Sequence, residues 1–216
     1  FYKEKLWCAS TGTQSIIRNN YTNNLASGNF SIVAGSNSNS YSNYTFIGGG
    51  RFNSATLNGA IIVGGISNSA TTAYAVVTGG RYNLISGGTS SFIGGGDINR
   101  LGGRYSVIVG GSYNSIDGNG AFVGGGYGNK TSDYNSVVVG GGSNRASLYA
   151  AVVGGSSNNA SGARSFIGGG KGNTASGYYS VVLGGDTNMV TSFGSIISNG
   201  KSNTISSNFS FIGSGF

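Results

Sequence analysis

One slot in this chain is refilled by a β-branched residue about every fifteen positions, from near its start to near its end. In order the slot holds Ile17, Val33, Ile47, Ile62, Val77, Ile93, Ile108, Val123, Val138, Val152, Ile167, Val182, Ile197 and Ile212. Neighbouring slots lie fourteen, fifteen or sixteen residues apart, never further. A period this short, kept over a chain of 216 residues, means one small supersecondary unit stacked on itself. The expected molecule is a rod.

A well-formed unit runs Ser165-Phe166-Ile167-Gly168-Gly169-Gly170-Lys171-Gly172-Asn173-Thr174-Ala175-Ser176-Gly177-Tyr178-Tyr179. Its apolar triplet has strand character. Gly-Gly-x-x-Asn is turn chemistry, with Gly and Asn expected at positive φ. A second small or apolar slot follows two residues after the Asn: Ala55, Ala70, Ile85, Ile116, Ala146, Ala160, Ala175, Val190 and Ile205. It marks a second, weaker strand. A Ser/Gly/Tyr-rich turn then leads into the next unit. Two strands and two turns per unit describe a flat, two-sided coil.

Side chains just before and after the β-branched slot point to the opposite strand face. Where the residue before is Phe (46, 92, 122, 166, 211), the residue after is Gly (48, 94, 124, 168, 213). Where the first is smaller, the second is usually larger: Val63, Thr78, Val109, Val139, Val153, Leu183. Volume is conserved across the pair, as in a packed layer. The first strand is therefore apolar on both faces. One face fills the coil; the other is expected to pack against another copy of the chain.

Composition alone would point elsewhere. With 43 Gly and only 8% charged residues, an aperiodic chain would read as disordered. Periodicity reverses that reading, since small residues let coils stack closely. The absence of Pro agrees, because every backbone N–H is needed in a ladder. The net charge of +7 is spread as single residues, without basic runs or a nucleic-acid module, so nucleic acid is not an expected partner. No apolar run approaches a membrane span, and no signal peptide is visible. The single Cys8 excludes an internal disulfide framework. It reads as a buried small hydrophobe or as a site of pairing between chains. The chain starts at Phe1 and stops at Phe216 within a repeat. We therefore expect a piece of a longer protein: a connector or cap over 1–14, then a repetitive solenoid over 15–216, truncated at its C-terminal end.

Repeats of the form Ser-x-Val/Ile-x-Gly-Gly-x-x-Asn-x-Ala-Ser-Gly resemble the head repeats of YadA-type trimeric autotransporter adhesins, which also occur in bacteriophage and large-virus tail fibres. The resemblance covers roughly Ser15 to Gly215. It implies a left-handed parallel β-roll, three chains per fibre, further fibre segments at both ends, and attachment to a surface. The longer period and the Gly-Gly-x-x-Asn turn depart from the family pattern and leave open which strand faces the oligomer axis.

Little catalytic chemistry is available. There is no His, and Glu4, Asp97, Asp117, Asp133 and Asp186 are far apart in sequence. Asp97 and Asp186 share a slot about six coils apart, roughly 28 Å at strand spacing, too far for a carboxylate pair. Gly48-Gly49-Gly50 lacks the Lys-Ser/Thr and the helix of a phosphate loop. No enzyme, cofactor or metal site is expected. Aromatics recur just before the strand-opening Ser or its equivalent, notably Tyr44, Tyr74, Tyr105, Tyr149 and Tyr179, with Phe30 and Phe209. They suit stacking on sugar rings of a host glycan, or packing against a neighbouring coil or chain. Arg51, Arg81, Lys171 and Lys201 follow Gly-Gly, interrupted by Asp97 and Asp186, and read as a solvated edge.

The sequence thus predicts an all-β parallel solenoid of about fourteen coils, a homotrimer, outside the cell or on a virion. Its role is the shaft or repetitive head of an attachment fibre, presenting a tip to a glycan or protein receptor and making weak multivalent contacts itself. Two alternatives are a filament built by end-to-end stacking and an ice-binding solenoid. The second would need a regular Thr array.

Overall fold

A computed structural model describes residues 7–18 and 23–215. The protein is an all-β parallel solenoid of about 13 turns, with no helix among the described residues. Two compact units divide the chain, Phe1–Tyr105 and Ser106–Phe216. From Leu25 to Ile205 the coils contribute two-residue strands alternately to two sheets.

In the first unit, parallel first strands run from Ile32–Val33 to Phe92–Ile93, and second strands from Leu25–Ala26 to Arg100–Leu101. In the second, first strands run from Val107–Ile108 to Phe211–Ile212, and second strands from Ser115–Ile116 to Thr204–Ile205. Register is exact repeat on repeat: Val123 pairs with Val138, and Ala160 with Ala175. Within the segment expected as connector, Trp7–Ala9 forms an antiparallel strand on Ile16–Arg18. The environment of the Cys8 side chain lies outside the described residues.

The core is the space between the two sheets. From Val33 to Ile197 the β-branched slot is completely buried. So is the second slot, which also takes in Ala26, Ser40, Leu101 and Thr131. A third buried row of Ser, Ala or Thr, such as Ser136 and Ala150, seals the inside of the Tyr-bearing turn. Ser136 Oγ donates to the Asp133 carbonyl at 2.8 Å, so its hydroxyl is satisfied there.

The Asn of the Gly-Gly-x-x-Asn turn works differently from the expectation. Positive φ falls on the residue before it, as at Phe52, Tyr82, Tyr113 and Thr187, and on a Gly such as Gly170. At Gly170, with φ 86°, a Cβ would press into the Gly185 carbonyl oxygen of the next coil. The Asn itself is buried and points inward. Asn144 Nδ2 donates to the Gly140 carbonyl of its own turn and the Gly155 carbonyl of the next coil, both at 2.9 Å. Its Oδ1 accepts the backbone N–H of Asn158 at 3.0 Å. The pattern repeats over Asn53, Asn68 and Asn83 in the first unit and over Asn129, Asn144, Asn158 and Asn173 in the second. This is a ladder of buried amides using donors and acceptor together, which is what makes burial of a polar side chain affordable.

Candidate functional site

The outward faces of the two sheets differ in chemistry. Outward positions of the first strand are apolar: Phe46, Val76, Phe122, Val137, Phe166 and Val181 before the slot, Val63, Val109, Val139, Val153 and Leu183 after it. The chain covers most of the residues before the slot, such as Val76, Phe122, Val137, Phe166 and Val181, to an intermediate degree and leaves those after it about half exposed. Val63 and Val109 are 50% exposed and Leu183 is 49% exposed. The expected burial of this face is therefore not supplied by the coil itself. Outward positions of the second strand are largely hydroxylated or charged, as with Ser54 and Thr56, Ser69 and Thr71, Lys130 and Ser132, or Thr174 and Ser176. Several of these hydroxyls donate to the next coil, as Thr71 Oγ1 does to the Ile85 carbonyl at 2.9 Å.

The Phe/Gly compensation has a local cause. On this face the Phe ring leans over the Gly two residues on: a Cβ on Gly48 would lie 2.9 Å from Phe46 Cε1. It would also lie 2.7 Å from the Val63 carbonyl oxygen. The pair shares one volume within a strand, whether or not another chain lies above it.

The five tyrosines singled out from sequence all occupy one row of the second turn, at positive φ between 55° and 58°. In that conformation each backbone N–H turns back to the preceding coil; that of Tyr74 donates to the Asn58 carbonyl at 3.0 Å. The rings then lie outside the core. Tyr44 stacks on Phe30 with centroids 5.3 Å apart. The Tyr74 ring covers Gly59, where a Cβ would meet Cδ1 at 2.7 Å. Tyr105 is 70% exposed. In the second unit, Tyr149 and Tyr179 converge on Arg164, whose guanidinium lies 5.7 and 5.5 Å from their ring centres. Sequence reasoning passed over Arg164, Tyr178 and Phe193. Arg164 lies in the tyrosine row itself, one coil from Tyr149 and one from Tyr179, and Tyr178 and Phe193 lie in the row one residue earlier.

The row after Gly-Gly is solvent-facing. It bridges Ile66 to Arg81 and Arg81 to Asp97 in the first unit, and Lys171 to Asp186 and Asp186 to Lys201 in the second. Arg81 and Asp97 form a two-point ion pair, both bonds at 2.9 Å. Exposed pairs of this kind contribute about 0–1 kcal/mol. A second pair joins Lys130 to Asp117 at 3.0 Å. Among the described residues, no three His, Cys, Asp or Glu side chains gather where a metal could sit. Compared with protein-family models and with curated proteins, the chain matches none.

Proposed function

We propose that this chain is a structural segment of an extracellular or virion attachment fibre, with three copies packed through the outward faces of their first strands. The observation that carries the reading is the contrast between the two sheet faces. Phe, Val, Ile and Leu line one side, with the Val and Leu after the slot about half exposed, and a hydroxylated, charged row lines the other. Val63, Val109, Val139, Val153 and Leu183 are each 44–50% exposed. Covering the rest contributes roughly 0.8–1.5 kcal/mol per side chain. An apolar row this regular is unusual on a surface that stays wet. The number three, the virion or cell-surface setting and the adhesin-like role rest on the resemblance of the repeats. The mechanical role is supported by the coil-on-coil repetition of the solenoid.

Multi-angle light scattering of the purified chain tests the assembly. The expected mass is about three times 21.7 kDa. Val139→Asp with Leu183→Asp should reduce it, whereas Ser176→Asp on the polar face should not. A folded chain of 21.7 kDa at micromolar concentration would overturn the reading.

A further inference from the structure

The second unit carries an exposed aromatic strip that its coils do not need for their own core. Two adjacent rows of the Tyr-bearing turn hold Tyr178 and Phe193 in one, and Tyr149, Arg164, Tyr179 and Phe209 in the other. Every ring is at least 39% exposed, and Phe209 is 77% exposed. The rings form one connected surface. Tyr178 meets Tyr179 edge-on at 4.3 Å and stacks on Phe193 at 5.8 Å; Phe193 meets Phe209 at 5.3 Å. From Tyr149 to Phe209 the strip crosses four coil steps, about 19 Å at strand spacing.

Arg164 is the cation of this strip, and half of it is already committed. Its Nη1 donates to both phenol oxygens, to Tyr179 at 2.9 Å and also to Tyr178. Its guanidinium lies 5.5 Å from the ring centres of both. Nε and Nη2 have no hydrogen-bond partner among the described residues. The side chain is therefore held in place by one edge while the other is free, the arrangement that suits a two-point bond to a carboxylate.

The backbone N–H groups of the tyrosine row are already used. The N–H groups of Tyr149, Arg164, Tyr179, Gly194 and Phe209 all donate to carbonyls of the preceding coil, at 2.9–3.1 Å. A peptide adding as a strand would find no free N–H along that row. What remains is recognition by ring faces and one positive fork, for a ligand apolar on one side, hydroxylated on the other and negatively charged. We propose that the strip binds an acidic saccharide, its pyranose faces resting on Tyr179, Phe193 and Phe209 and a carboxylate on the Nε/Nη2 edge of Arg164. The Tyr178 phenol is pushed up from its ordinary value, chiefly by its hydrogen bond with Tyr179. The fibre reading bears only on where such a glycan would be met; the binding chemistry stands apart from the number of chains.

The test uses the whole chain on an array of carboxylated saccharides (hyaluronan, polysialic acid, oligogalacturonate), heparin, and neutral chitohexaose and maltohexaose. Light scattering is recorded on the same samples. Arg164→Gln and Tyr179→Asn are suitable variants, because Gln14 and Asn135 occupy the same turn position at φ 56° and 50°. At least one carboxylated saccharide should bind, with neutral ones about tenfold weaker or worse. Either variant should weaken that binding at least tenfold, with thermal midpoint and mass unchanged. Three results would overturn the inference: no carboxylated saccharide binds; binding persists in both variants; or both variants lower the mass, making the strip a contact between chains. A monomer that binds supports this inference and removes the trimer; a trimer that does not bind does the reverse.

Discussion

Asn144→Ala should be among the most costly single changes in the second unit, although it removes only a small polar side chain. Three hydrogen bonds disappear: two from Nδ2 to the Gly140 and Gly155 carbonyls, and one from the Asn158 N–H to Oδ1. At about 1 kcal/mol net each, these contribute ~3 kcal/mol. The Gly155 carbonyl keeps the Gly142 N–H at 2.9 Å. The Asn158 N–H is left buried with no acceptor, which costs about 1–3 kcal/mol in place of its bond. The sum is roughly 3–5 kcal/mol, against about ±0.5 kcal/mol for an exposed control such as Lys171→Ala. Asn144→Asp separates the donors from the acceptor. Its carboxylate would face two carbonyls in a buried site, so its folded pKa should rise above the ordinary value of about 3.9. A raised carboxyl pKa favours folding at acid pH and loses that contribution as pH climbs past the unfolded value. Asn144→Asp should therefore lie closer to the parent chain in acid than at neutral pH. Urea unfolding monitored by far-UV circular dichroism measures all of these. An Asn144→Ala cost below about 1 kcal/mol would show that water replaces the amide and that the ladder is not a closed buried element.

Other changes probe the remaining layers. Thr131 occupies the second core slot with its Oγ1 buried and unpartnered; Thr131→Val should stabilise by about 1 kcal/mol, and a loss of stability in urea unfolding would mean that the hydroxyl is bonded. Val138→Asp places a charge in the fully buried slot and should abolish soluble, folded chain, whereas Asn135→Asp in the exposed turn should not; equal yields would sink the inward assignment. On Gly124 a Cβ would press into the Val139 carbonyl oxygen and meet Phe122 Cε1 at 3.3 Å. Gly124→Val should therefore cost about 1–3 kcal/mol, and Phe122→Val should recover only the part due to the ring. Strict additivity in a double-mutant cycle of thermal unfolding would show that the two side chains share no space.

Much of the architecture was legible because the period is short and the core residues are β-branched. Val33, Ile108 and Ile197 announce their slot by type and spacing alike. The second slot was less legible, since Ser40, Leu101 and Thr131 break its run of Ala, Ile and Val, yet all three are buried. Ser40 tolerates the site through a hydrogen bond to Thr45 Oγ1. The ladder Asn was assigned to the wrong physics, because Asn tolerates positive φ and sits beside Gly. One signal pointed the other way: the slot from Asn53 to Asn203 never holds Gly, while the residue before it does at Gly128 and Gly172. A position selected for positive φ would accept Gly; one selected for an amide would not. The aromatic strip escaped notice because a linear reading separates Arg164 from Tyr149 and Tyr179, and only coil-on-coil register joins them.

The amide ladder also decides where the gene can change length. From Ile47 onward the stretch between inner Val or Ile and ladder Asn never gains or loses a residue. The tyrosine-bearing turn is one residue longer between Ile85 and Ile93, and one shorter between Ala146 and Val152. Where the Asn side is itself one short, after Val33, Ser38 stands in place of the amide. An insertion beside a ladder Asn would break side-chain bonds in two coils at once, whereas the opposite turn keeps its bonds when its length changes: in the shortened turn the Tyr149 N–H still donates to the Tyr134 carbonyl and the Ala150 N–H to the Ser147 carbonyl, both at 2.9 Å. Small insertions, deletions and grafted peptides should therefore survive along one margin of this solenoid and be eliminated along the other. A lineage built on it would diversify along a single edge while its amide spine stayed unchanged.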